Sequence, residues 1–154
     1  MINDEVKKYI DKSVLCWLAT CNKQNEPNVS PKEMFTYKDD TTLLIANIAS
    51  PNSIANIKDN PNVCVSFVDV FVQKGFKVKG IATLIDRKED SFNAEVKPLI
   101  DLFTDKFPIK SILKIKVTSA DRIQAQSYFL TPDTTEKTQI ESAMKTYKVK
   151  PIDE

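Results

Sequence analysis

The run Val63 to Val72, VCVSFVDVFV, constrains the fold more than any other stretch of the chain. β-branched and aromatic residues favour a strand, and a strand sends successive side chains to opposite faces. One face carries Val63, Val65, Phe67, Asp69 and Phe71; the other carries Cys64, Ser66, Val68, Val70 and Val72. Both are largely apolar, so both need cover. In an antiparallel chain of this size, that means a barrel interior on one side and a helix or second subunit on the other.

The flanking segments supply the rest of such a sheet. Asp4 to Asp11 carries Val6, Tyr9 and Ile10 at helical spacing and reads as a short lead-in helix. Ser13 to Thr20 reads as a strand, Asn22 to Glu26 as a hairpin turn, and Asn28 to Tyr37 and Thr42 to Ile48 as the next two strands. Ser50-Pro51 opens a helix, with Ser at the N-cap and Pro at the first helical position, and Asn60-Pro61 ends it. Phe76 to Ile85 is a strand with Lys77 and Lys79 on one face. Phe92, Val96, Leu99, Ile100 and Phe103 form an amphipathic stripe with Pro98 inside it. Ile112 to Val117 alternates as a half-exposed strand, Gln124 to Leu130 is placed as an extension of the sheet, and Ile140, Ala143, Met144 and Tyr147 mark a closing helix. Six or so strands, with helices after the third and fifth, predict a mainly β α+β barrel. It is expected as one domain over residues 1–154.

Composition removes whole classes of function. Lys plus Arg is 22 against 21 for Asp plus Glu, a net charge of +1, without the excess that nucleic-acid binding needs. Histidine is absent, so His-based triads, general acid–base work, and His-ligated zinc or heme are excluded. With glycine only at Gly75 and Gly80, neither the G-x-G-x-x-G fingerprint nor a Walker A loop can form. No apolar run reaches the ~18 residues of a membrane span, and Met1 to Lys8 lacks the order of a signal peptide. A cytoplasmic protein without nucleic-acid or membrane partners is expected. Cys16 and Cys64 lie in apolar runs as small buried thiols, and Cys16 with Cys21 has no second ligand pair, so no metal site is expected.

Two features point to an anionic ligand. The first turn after Ser50 offers Asn52 and Ser53 where helices favour Asp or Glu, leaving a positive helix end that suits phosphate. An ordinary Ser-capped helix is the competing reading. Lys32 follows Ser30-Pro31 in a strand among Val29, Met34 and Phe35, either as an exposed strand residue or as a cation reaching a phosphate. Lys77 and Lys79 invite the same two readings.

Asn28 to Lys32 (NVSPK), Leu44 to Ser53 (LIANIASPNS), Asn60-Pro61, Val63 to Phe67 (VCVSF) and Gly75 to Gly80 (GFKVKG) occur in an order that resembles the pyridoxamine 5'-phosphate oxidase-like family of FMN-binding split barrels. The resemblance runs from Leu15 to Ile85 and weakens after Asp86. It implies a six-stranded antiparallel split β-barrel with flanking helices, dimerising to hold FMN at the subunit interface. By position, Ser30 and Lys32 would face the flavin and its phosphate, Ile48 and Ala49 would run beside the ring edge, and Ser50 would start the phosphate-binding turn. Asn52 and Ser53 stand where the oxidases have an Arg-Lys pair, and Gly75 and Lys77 where further flavin contacts come from. That departure, and the lack of an Arg-containing signature in Lys148 to Glu154, argue against vitamin B6 oxidation. The implied function is an FMN-dependent oxidoreductase passing hydride between a nicotinamide donor and a small molecule, with a non-catalytic flavin carrier or stress protein as the alternative. Lys32, Tyr37 and Tyr128 are the candidate proton donors. A deazaflavin suits the same barrel, whereas heme handling is disfavoured by the absence of histidine.

Overall fold

Glu33 and Met34 divide what reads as one long strand, and this break organises the molecule. The structure is a computed structural model describing residues 1–152; Asp153 and Glu154, the end of the expected domain, lie outside the described residues. The elements run α1 (Asp4–Lys12), β1 (Cys16–Cys21), β2 (Pro27–Lys32), β3 (Phe35–Asp39), β4 (Thr42–Asn47), α2 (Pro51–Asp59), β5 (Asn62–Asp69), β6 (Lys74–Asp86), α3 (Phe92–Leu102), β7 (Ser111–Gln124), α4 (Ser127–Leu130) and α5 (Glu136–Tyr147). The seven strands form one antiparallel sheet in the order β2-β1-β5-β6-β7-β4-β3. The two edge strands, β2 and β3, are consecutive in sequence. Lys32 and Phe35 are three residues apart, at most ~11 Å of extended chain, so the sheet curls to bring its two edges close. No ladder pairs β2 with β3 among the described residues, and the barrel is closed there by the chain alone. The fold is mainly β, α+β, with seven strands in place of the expected six.

Within one chain, the strand buried on both faces is β4, while β5, within the run Val63 to Val72, is covered on its inner face alone. Every residue of β4 is buried: Leu43 and Ile45 enter the barrel core, while Leu44 and Ala46 pack under Phe92, Val96 and Leu99 of α3. In β5 only Val63, Val65 and Phe67 are buried; Cys64, Ser66 and Val68 are half-buried on the outer face. That strand also stops early. Asp69 Oδ1 accepts from the backbone N–H of Phe71 at 3.0 Å, starting a turn that ends at Gln73 with φ 55°. The expected extension of the sheet over Gln124 to Leu130 is also corrected: β7 ends at Gln124, and Ser127–Leu130 is a helical turn. Instead, the expected strand at Ile112 to Val117 lengthens to Ser111–Gln124 by pairing along nearly all of β6.

Both glycines lie on β6 where another backbone leaves no room. A Cβ on Gly75 would lie 2.0 Å from the Phe67 carbonyl oxygen, and one on Gly80 would lie 2.5 Å from that of Lys116. Gly80 also marks a register shift against β7. The sharp coil of the barrel wall requires both.

Candidate functional site

Helix α2 begins without a side-chain cap. Ser50 is at its N-cap, Pro51 follows, and the first turn holds no acidic residue. Ser50 Oγ caps nothing and accepts a hydrogen bond from Lys32 Nζ across the β2 edge. The free N–H groups and positive dipole of the helix therefore face a second positive group. Lys32 is only 6% exposed and pairs with no carboxylate among the described residues. Burial holds its ammonium below the ordinary lysine value, opposed by neighbouring Cys16. Cys16 is itself pushed up to about 12 by burial and stays a thiol.

Below this pair runs a polar seam between β2 and α2. Ser30 Oγ and Ser53 Oγ lie 3.0 Å apart, and Asn28 Nδ2 donates to Ser53 Oγ at 3.3 Å. Thr20 Oγ1 accepts from Asn28 at 3.3 Å and from Asn56 at 3.1 Å. Asn28, Ser30 and Lys32 alternate along β2, so all three point to the same side. Above Lys32 opens a cavity of about 270 Å³ with Met34, Ile48, Ala49, Ser50 and Phe107 in its walls. A buried cation beside hydroxyls and an uncapped helix end can hold a phosphate; the apolar wall can hold the group attached to it.

The structure thus brings Ser30, Lys32, Ile48, Ala49, Ser50 and Ser53 around one helix start, with Asn52 exposed on its first turn. Gly75 and Lys77 are not in this cluster. Lys77 pairs with Ser66, Ser66 with Trp17 and Trp17 with Pro31, a row that crosses the outer face from β6 to the cavity edge. Tyr37 and Tyr128 do not line the cavity either. Tyr37 lies under Lys7 of α1, and Tyr128 donates its hydroxyl to the Val72 carbonyl at 2.8 Å, with Lys74 over its ring. The site also includes Asn28, Thr20, Asn56 and Phe107, which no motif in the sequence singles out. Asn28 was detectable from its two-residue spacing to Ser30, whereas Phe107 comes from an irregular loop with no periodic signal.

A sequence profile described as pyridoxamine 5'-phosphate oxidase matches residues 2–136. The chain belongs to that family. The match extends well past Ile85, taking in α3, β7 and α4, beyond the segment where individual motifs are legible. Comparison with curated proteins finds no match. Among solved structures, HupZ of Group A Streptococcus is 25% identical with a TM-score of 0.69, covering 81% of this chain and 96% of its own. An FMN-binding protein of Syntrophomonas wolfei is 19% identical with a TM-score of 0.67, covering 79% and 86%. HutZ, a heme storage protein of Vibrio cholerae, is 17% identical with a TM-score of 0.61, covering 80% and 94%. This family fold therefore occurs in proteins whose ligands differ, and the ligand has to be argued from the site.

Proposed function

We propose that the protein binds FMN as a homodimer and works as an oxidoreductase, passing hydride between a nicotinamide donor and a small molecule. One observation carries this reading: the buried Lys32 ammonium has no carboxylate partner among the described residues and stands beside an uncapped helix start. A buried cation of that kind is unfavourable unless an anion completes it. Lys32, Ser50, Ser53 and Ser30 would hold the phosphate, with the free N–H groups of α2. Ile48 and Ala49 would border the ring system, with Met34 and Phe107 keeping water out. FMN, when bound, supplies hydride acceptance and donation.

The cavity argues for the dimer. At about 270 Å³ it lies below the ~300–1,000 Å³ of ordinary ligand pockets, so one chain provides the phosphate end and little more. Gly75 and Lys77 lie on a different face and would complete the site from a second copy. Family membership and the fold shared with an FMN-binding protein are consistent with flavin, and the preference for it rests on the phosphate end of the site.

The absorption spectrum of protein purified without added cofactor tests this reading. Two flavin bands, or their appearance with bound FMN after titration, are expected. A colourless protein that ignores FMN overturns it, and a heme Soret band moves the assignment to the heme branch of the fold. A carrier reading differs in turnover: sustained NAD(P)H oxidation by the holoprotein is expected here, and a carrier gives none.

A further inference from the structure

A second cavity, of about 430 Å³, opens on the outer face of the sheet, lined by Cys21 of β1 and Cys64 of β5 with Asn62, Lys79 and Thr118 beside them. Both thiols are free and half-buried, whereas Cys16 is fully buried on the inner face. Ala19 pairs with Cys64, and Cys21 lies two residues beyond Ala19 on the same strand. The two cysteines are therefore diagonal neighbours on one face. Such diagonals are ~7–8 Å apart, with Cβ atoms somewhat closer. A metal held linearly by two thiolates needs its sulfurs ~4.6 Å apart, taking metal–sulfur bonds of ~2.3 Å. Cβ–Sγ bonds turned toward each other cover the difference.

We propose that Cys21 and Cys64 form a two-coordinate site for a soft monovalent metal ion, copper(I) being the ion whose chemistry fits. Thiolates select copper(I). Zinc requires four ligands, and among the described residues this cavity offers no histidine or carboxylate, nor do three or more His, Cys, Asp or Glu side chains gather anywhere. Binding releases the two thiol protons to solvent and leaves a bis-thiolate complex of net charge −1, with no change of oxidation state in metal or sulfur. The Lys79 ammonium on the same wall offsets that charge. Pairing Cys16 with Cys21 misses the site because an odd separation along a strand puts the two side chains on opposite faces. The proposal does not depend on flavin binding. A second copy seated on the outer face of β1 and β5 would narrow access to the two thiols, so protection is read against copper-free protein in the same oligomeric state.

Anaerobic titration of the purified protein with copper(I) against a coloured copper(I) chelator tests it. One equivalent per chain is expected, bound more tightly as pH rises, and lost in both Cys21→Ser and Cys64→Ser. Alkylation with iodoacetamide, mapped by mass, should then show copper(I) protecting Cys21 and Cys64 together. Retention of the equivalent in either serine variant, or protection of only one of the two thiols, overturns the proposal. The serine variants change half-exposed positions, and their circular dichroism should match that of the parent protein.

Discussion

Lys32 is a strand lysine by sequence and a buried cation by structure. In β2 it is the last residue, and the start of α2 folds over it. No property of Ser30-Pro31-Lys32 announces that cover, because it comes from a helix eighteen positions further on. The two roles give opposite expectations for Lys32→Met. A surface lysine would change apo stability within about 0.5 kcal/mol and leave affinity alone. Loss of a charge-assisted hydrogen bond to phosphate removes ~1.5–3 kcal/mol, which lowers FMN affinity roughly 10- to 100-fold. Fluorescence titration of FMN into both apo proteins measures it, and equal dissociation constants would put the phosphate elsewhere. Apo stability should move the other way. Burial lowers the folded-state pKa of Lys32 below its unfolded value of about 10.4, so the unfolded chain holds the proton more tightly. The charged lysine therefore weakens the apo fold at neutral pH, and the cost fades as pH rises from the folded to the unfolded pKa. Lys32→Met should be the more stable apo protein at pH 7, with the gap closing toward pH 10 in urea unfolding.

At the scale of elements, periodicity located most of the helices and strands, while pairing set their ends. β7 is long because β6 offers it a partner residue by residue, and β5 is short because Asp69 turns the chain. Two-sided burial is legible as a requirement of the fold, but within one chain it is met on β4: LLIA in β4 is as apolar as VCVSF in β5, and α3 covers only the first. That helix is held by more than packing. Glu95 is buried, and its carboxylate accepts from Lys38 Nζ of β3 at 2.9 Å and Lys114 Nζ of β7 at 2.7 Å. Burial raises its pKa, but the two lysines outweigh burial and hold it below the ordinary carboxylate range. Glu95→Gln should cost ~1–3 kcal/mol, as for loss of hydrogen bonds to a charged, buried group. A carboxylate with a lowered folded pKa stabilises above its unfolded pKa of about 4.3, and that contribution is lost as pH falls through the folded value. Denaturant unfolding should therefore separate variant from parent at pH 7 and bring them together as pH falls through the lowered folded pKa of Glu95. The glycines on β6 give a second element-scale test. Gly75→Ala drives a Cβ into the Phe67 carbonyl and should destabilise by at least ~1–3 kcal/mol, the usual cost of overpacking. An unchanged melting temperature would mean that the β5–β6 ladder gives way more easily than its spacing allows.

At the scale of the whole molecule, the described residues leave one face of the barrel uncovered. Helix α3 packs on β4 and β7, and α1 and α2 contribute Val6, Tyr9, Ile10 and Ile57 to the barrel core. Among the described residues the outer face of β2, β1 and β5 has no such cover: Trp17 is 45% exposed and Val29 59% exposed, and Val14, Val70 and Phe71 flank them. A contiguous apolar surface of this kind marks an association site. It also crosses the row from Pro31, at the edge of the Lys32 cavity, to Lys77. A second copy seated there would add apolar cover and polar groups beside the phosphate end in one step, which neither Trp17 nor Lys77 could do alone. The sequence carried the need for cover, in a two-faced apolar strand, but not its place, because exposure of Trp17 depends on which strands have helices above them. Sedimentation equilibrium should give a dimer at micromolar concentration. Trp17→Glu puts a charge at the centre of the face and should yield a folded monomer whose FMN affinity falls with its dimerisation. The apo fold should persist, since Trp17 contributes nothing to the barrel interior. If the monomer keeps the parent's FMN affinity, the flavin is held within one chain, and Gly75 and Lys77 lose their place in the site.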